Sequence, residues 1–366
     1  MKEQLKFVQI LRGFAAIAVV VYSLDSITFT YFRYSLFHFN YGYLAINFFF
    51  ALSGFIITYV HLKEIQHSRS VRKFILKRFV RIYPLYWLVL LFTIGLESPE
   101  FKEKPSLLSA INPTTTEGWI IIIKNIILYP LPDSQMPLGI AWGLPYAIIF
   151  YILFALCIKL GWKATKYIFT GWLLLIILYS FHIFSGSLLL IQTVLSPLNI
   201  QILTGCIAGY FFTKRRFRIK TSVFIYLIVS IAMLTMAFIY WKGSDNRNLL
   251  FTTMVGVASS LIIFYTASLD RDKLSKNLGS SLLVLIGAAS YSIFLTHILF
   301  IPYICIALNK VLNVPVIPVL LKSILIILVL LLTIVAGVIT HLIIERQVLN
   351  FLRNKLRLKR QKKSWI

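Results

Sequence analysis

The chain has 366 residues, of which 59% are hydrophobic and only 13% charged, with a formal net charge of +25 and a mean hydropathy of +0.84. A soluble domain cannot hide that much apolar surface, so the composition excludes one and points to a polytopic membrane protein. The basic excess first suggests nucleic acid, but its distribution over the loops argues against that reading.

Ten apolar runs are long enough to span a bilayer, at roughly 7–29, 44–62, 82–97, 140–160, 168–184, 198–213, 221–241, 249–269, 282–308 and 317–344. The sequence therefore predicts an all-α membrane bundle of about ten transmembrane helices. Residues 1–344 form the membrane domain and 345–366 a basic tail. The first run contains "LRGFAAIAVVVYSLDS", Leu11 to Ser26. It is long, carries Arg12 and lacks a small-residue cleavage pattern, so it reads as a span rather than a cleaved leader. Arg12 to Ser23 covers roughly 16 Å at helical rise, about half a bilayer core. Either Arg12 snorkels to the membrane surface or Arg12, Ser23 and Asp25 mark a buried site.

The second run contains "NFFFALSGFII", where Ser53 and Gly54 allow another helix to approach closely. The following stretch, "RSVRKFILKRFVRIYPLYW", carries Arg72, Lys73, Lys77, Arg78 and Arg81 at about one-turn spacing. Such a basic face either anchors anionic lipid or binds a phosphate-rich cytosolic donor. Pro84 is expected to bend the chain into the third run. The acidic loop 97–118 carries Glu97, Glu100, Glu103 and Glu117 and is the expected place for specificity. Trp119 to Pro132 is too short to span and reads as an interfacial or re-entrant helix. Cys157, Cys206 and Cys305 all lie in apolar runs, which predicts core residues with no disulfide and no metal site.

The ninth run contains "IGAASYSIFLTHILF", with small residues from Gly287 to Ser290 ahead of His297. A lone membrane histidine is either a packing residue or a catalyst. The tenth run ends "HLIIERQVLNF", where Glu345 and Arg346 can join a charge network with the basic loop. The tail "RNKLRLKRQKKSWI" reads as a juxtamembrane polybasic segment that closes the chain with no further soluble domain. With the N-terminus inside, the cytoplasmic segments hold 27 of the 37 Lys and Arg residues and the opposite loops hold seven. Both termini are therefore expected in the cytoplasm. The charge is topological and lipid-facing, and no nucleic-acid partner is expected. No repeat of 20–50 residues stands out, which disfavours a transporter built from paired halves.

The pieces "LRGFAAIAVVVY", "NFFFALSGFII", "KRFVRIYPLYW", "AWGLPYAIIFY", "IGAASYSIFLTH" and "ERQVLNF" run in order from first span to last. Together they resemble the acyltransferase-3 family of bacterial inner-membrane acyltransferases. The resemblance implies a donor, cytosolic acyl-CoA, often acetyl-CoA, with no permanently bound cofactor. It also implies an acceptor, a hydroxyl of a glycan or lipid-linked glycan. Arg12 matches the family arginine that precedes a catalytic histidine by eleven positions. Arg78 and Arg81 match an Arg-x-x-Arg pair associated with the donor, with Arg72 and Lys77 beside them. Trp142 and Leu144 match a Trp-Ser/Thr-Leu motif followed by a glutamate, and Ser290 and Tyr291 match a Ser-Tyr pair.

Two positions depart from the pattern: the family histidine falls on Ser23 and the family glutamate on Ala147. Serine is no base near neutral pH, and an imidazole base contributes roughly 100- to 10,000-fold. Asp25 points about 200° away around a helix and makes a poor substitute. The resemblance therefore implies a membrane O-acyltransferase scaffold whose transfer is strongly impaired. Two rivals remain: a non-catalytic membrane protein that binds a glycan or CoA, and a lipid or glycan transporter.

Overall fold

The computed structural model describes residues 5–37, 42–66, 71–95, 111–112, 114–184, 186–214, 223–241, 248–271, 282–312 and 318–356. Among these residues every regular element is helical. Helix α1 spans Lys6–Phe32, α2 Gly42–Gln66 and α3 Val71–Gly95. The short α4 (Thr116–Ile126) and two 3-10 turns lead into the long α5 (Leu144–Ser180). Then come α6 (Leu189–Val194), α7 (Asn199–Lys214), α8 (Val223–Trp241) and α9 (Leu249–Arg271). The chain continues with α10 (Leu282–Ala288), α11 (Ser290–Leu312) and α12 (Val319–Thr340). A one-turn π-helix, His341–Glu345, joins α12 to α13 (Arg346–Lys355).

Seven helical stretches among the described residues are long and apolar enough to cross a membrane, against the ten runs expected. The difference has identifiable sources. The runs at 140–160 and 168–184 are fused in α5, which bends at Gly161, where φ is 83°. Glycine, lacking Cβ, adopts that value without steric cost. The third run lies in α3 together with the basic face, and α3 is not among the seven. Only Ile228–Ala237 of α8 enters as a short apolar piece. Pro84 lies inside α3, and the helix continues through it to Gly95. Most of the acidic loop, at 96–110 and 113, and the tail beyond Leu356 lie outside the described residues.

The surface exposes many large apolar side chains, and several polar ones are buried among the hydrophobic core. On α12, Leu320, Ile324, Leu331 and Val335 form an exposed stripe, while Gln9, Asn47, Gln201, His297 and Glu345 are buried. Lipid accepts the apolar stripe, and the bundle interior shelters the polar groups. The chain is thus a multi-pass membrane protein.

Small residues set the closest helix approaches. A Cβ on Gly205 of α7 would collide with the Ala51 carbonyl of α2, and one on Gly54 with the Ile202 carbonyl. The α2–α7 pair can therefore pack backbone to backbone, the usual membrane substitute for a hydrophobic driving force. Gly13 of α1 and Gly287 of α10 do the same, a Cβ on Gly13 meeting the Gly287 nitrogen at 3.1 Å. That approach carries Arg12 to the start of α11.

Polar anchors hold the ends. The Phe7 backbone N–H donates to both Asp270 carboxylate oxygens, at 3.1 and 2.9 Å, so α9 caps the first turn of α1. Asp25 accepts the Phe37 N–H at 3.0 Å and so ties down the segment after α1. The last carbonyls of α4 are met by α3: Tyr86 donates to Asn125 O, Trp87 to Ile126 O and Tyr83 to Ile127 O. Its opposite side exposes Trp119, Ile120, Ile123 and Ile126, as an interfacial helix does.

Candidate functional site

A cavity of about 260 Å³ opens among α1, α2, α3, α5, α11 and α13. Five cations line it: Arg12, Lys77, Arg78, Arg81 and Arg353. Three come from α3, because positions 77, 78 and 81 fall within about 100° of one another around a helix. Arg72 lies nine residues before Arg81, about 180° around. It is accordingly exposed and outside the cavity wall, and Arg353 from α13 stands in the ring of cations instead. Much of the remaining wall is apolar, with Ile46, Phe49, Phe50 and Phe294 prominent, and Ser53, His61, Tyr151, Ser290 and Tyr291 add polar groups.

Burying cations in a membrane bundle is costly without partners. The Arg78 guanidinium lies over Phe74 at 5.6 Å and over Tyr151 at 5.9 Å, and its NH2 group donates to His61 Nε2 at 3.0 Å. Arginine only donates, so Nε2 is the bare nitrogen and Nδ1 carries the proton. Nδ1 faces Glu64 Oε2 at 2.8 Å. Glu64, His61 and Arg78 thus lie in series, with His61 and Arg78 in the cavity wall. Arg81 pairs with Glu345 and lies over the Tyr291 ring at 5.3 Å. Glu345 also accepts from Ser292 Oγ at 2.6 Å and lies 2.7 Å from His341 Nδ1. The π-turn presents both ends of that last contact, and such turns recur at functional positions. Tyr291 is fixed by its hydroxyl, which donates to Ile82 O at 2.9 Å. Arg12 donates to Ser290 Oγ at 3.0 Å. Among the described residues, Glu64 and Glu345 are the carboxylates paired with this array in the contacts above, and the cluster of cations suits phosphate, beside apolar wall residues suited to a hydrocarbon arm.

Ser23 and Ala147, the two positions read from the sequence as departing from the family pattern, sit differently. Ala147 is in the cavity wall, with Gly143 and Leu144 beside it. Trp142 packs edge-on against Phe50 and Tyr146, with ring centroids 6.2 and 6.1 Å away. Ser23 is not in the wall. It contacts His297 Nε2 at 3.0 Å. His297 is one turn along α11 from Phe294, whose ring is 6.4 Å from the imidazole.

A family model described as an acyltransferase domain matches residues 5–342. The chain belongs to the acyltransferase-3 family. Two curated relatives illustrate the range. The protein named Putative O-acetyltransferase of Staphylococcus aureus strain COL is 26% identical over 327 residues, 80% of this chain and 50% of that protein. The peptidoglycan O-acetyltransferase OatA of Listeria monocytogenes is 25% identical over 321 residues, 78% of this chain and 48% of that protein. The chain spans about half the length of these relatives. No solved structure matches it.

Within this acyltransferase-3 chain, the cavity gathers Arg12, Ser53, Lys77, Arg78, Arg81, Ala147, Ser290 and Tyr291. Glu345 reaches it through Arg81, while Arg72, Ser23 and His297 stand outside its wall. Sequence reasoning did not find His61, Arg353 or Ser292, nor the pairing of Ser23 with His297. His61 offered the same weak signal as His297, a histidine in an apolar run. Arg353 was indistinguishable from its basic neighbours in the tail.

Proposed function

We propose that this chain is a membrane O-acyltransferase scaffold that binds acyl-CoA, with acetyl-CoA the expected donor, through the cation-lined cavity. The observation that carries the reading is the convergence of Arg12, Lys77, Arg78, Arg81 and Arg353 beside an apolar wall. CoA combines phosphates with a long thiol arm, and guanidinium groups suit the former. The acceptor is a hydroxyl of a cell-surface or lipid-linked glycan. The support for that is the name of the Listeria relative, which specifies peptidoglycan. The membrane is the bacterial inner membrane. Ten crossings put both termini and the cavity mouth on the cytoplasmic side, where acyl-CoA is made, because Lys and Arg concentrate in those loops. Anionic lipid headgroups surround the mouth.

The family histidine and glutamate correspond to Ser23 and Ala147, so the usual base and its orienting carboxylate are replaced by groups that cannot do that work. Slow transfer follows. The same two residues favour a second reading, a donor-binding protein that does not transfer.

Calorimetry of CoA binding to the purified protein tests the donor site. Arg78→Ala should weaken binding by about 1.5–3 kcal/mol, the worth of hydrogen bonds to a charged group, roughly 10- to 150-fold. Arg72→Ala should leave affinity unchanged. Equal affinity in both variants and in the parent protein would reduce the basic face to a lipid anchor.

A further inference from the structure

His297 is fully buried in α11, and both ring nitrogens have partners. Nδ1 faces the Ile293 carbonyl at 3.3 Å. A carbonyl oxygen only accepts, so Nδ1 carries the proton and Nε2 presents a lone pair. The Ser23 hydroxyl, 3.0 Å from Nε2, therefore donates to it. That order is the one a serine nucleophile needs: hydroxyl on base, and base held in one tautomer by a third group. Here a backbone carbonyl takes the orienting place that a carboxylate holds in a catalytic triad. The two residues come from helices that meet along their length, Arg12 and Ser290 being joined two turns earlier on α11. Phe294 lines the cavity and sits 6.4 Å from the imidazole, so one aromatic ring bridges the cavity and the pair.

We propose that Ser23 is the acyl-accepting nucleophile of this chain and His297 its general base, reached from the cavity when the Phe294 ring turns aside. The proposal rests on the acyl-CoA reading of the cavity. In the first step Ser23 Oγ attacks the thioester carbonyl carbon. A C–O bond forms and the C–S bond breaks. The hydroxyl proton passes to His297 Nε2 and on to the departing CoA thiolate, which leaves as the thiol. In the second step an acceptor hydroxyl gives its proton to Nε2 while its oxygen attacks the Ser23 ester. Ser23 leaves as the alkoxide and recovers that proton. The slow transfer left after the family histidine becomes serine then runs through this pair, with the base supplied from α11.

The test uses the full chain in detergent with acetyl-CoA, an acid quench and peptide mass mapping, alongside CoA calorimetry. The expected result is one acetyl group on the peptide containing Ser23, lost in Ser23→Ala. His297→Gln should slow labelling about 100-fold or more, the usual share of a general base. Ser23→Cys should carry the acetyl as a thioester that hydroxylamine releases, which keeps the test alive if the histidine variant does not fold. Intact CoA binding with no acetyl at position 23 in the parent protein or in Ser23→Cys would overturn the proposal and leave the donor site standing. Labelling at full rate in a folded His297→Gln would remove the base. Absent CoA binding would overturn the donor reading and this proposal with it.

Discussion

The Arg81–Glu345 pair is the most exacting test of how the cavity is built. The side chains are 16% and 2% exposed, and 264 positions separate the two residues. Glu345→Ala would leave the Arg81 guanidinium in the bundle without its counter-charge. It would also remove the acceptor of Ser292 Oγ and the partner of His341 Nδ1. Breaking a buried pair by removing one partner costs about 3–5 kcal/mol, because the surviving charge stays desolvated. At about 2 °C per kcal/mol for a large chain, the midpoint of thermal unfolding should fall by roughly 6–10 °C. Arg81→Leu should cost a similar amount, since it strands the carboxylate instead. The double variant, Arg81→Leu with Glu345→Leu, should cost less than the sum of the singles by about 1–3 kcal/mol, the range for residues in one network. The assay is thermal unfolding of detergent-purified protein followed by intrinsic fluorescence. Strictly additive losses, or single variants within about 2 °C of the parent, a loss near 1 kcal/mol, would mean that the pair is effectively solvated and that the cavity is wetter than its packing implies.

Topology is read by a cysteine introduced at Ser106. An impermeant reagent should label it in intact cells, and labelling confined to the C-terminal tail would reverse the orientation. Ser23→His with Ala147→Glu exchanges the serine route for the pair that the family pattern implies, and together they should raise acetyl transfer well beyond either change alone, because such groups act as a unit. A double variant with no gain would remove the family roles from both positions.

Local pattern determined a good part of this molecule. Runs of apolar residues require helices in lipid, because every backbone polar group must be satisfied within its own segment. The apolar piece after the acidic loop, too short to span, becomes α4, an exposed amphipathic helix whose last carbonyls α3 supplies with donors. The spacing of Lys77, Arg78 and Arg81 placed three cations on one face, since helical periodicity is a property of neighbours in sequence. The order of motifs named the family across the whole chain. Other features depended on which helix met which. Arg72 and Arg353 look equally basic in the sequence, yet only Arg353 faces the cavity, because the docking of α13 decides it. Asp25 looks like a stray acid in a span, and the fold uses it to hold the Phe37 N–H. Ser23 looks like the loss of a base until α11 sets His297 against it, 274 residues away in sequence. Hydropathy and periodicity carry no information about such pairings. Helix contacts in lipid are selected by backbone-close packing at residues such as Gly13, Gly54, Gly205 and Gly287, and that selection exists only in three dimensions.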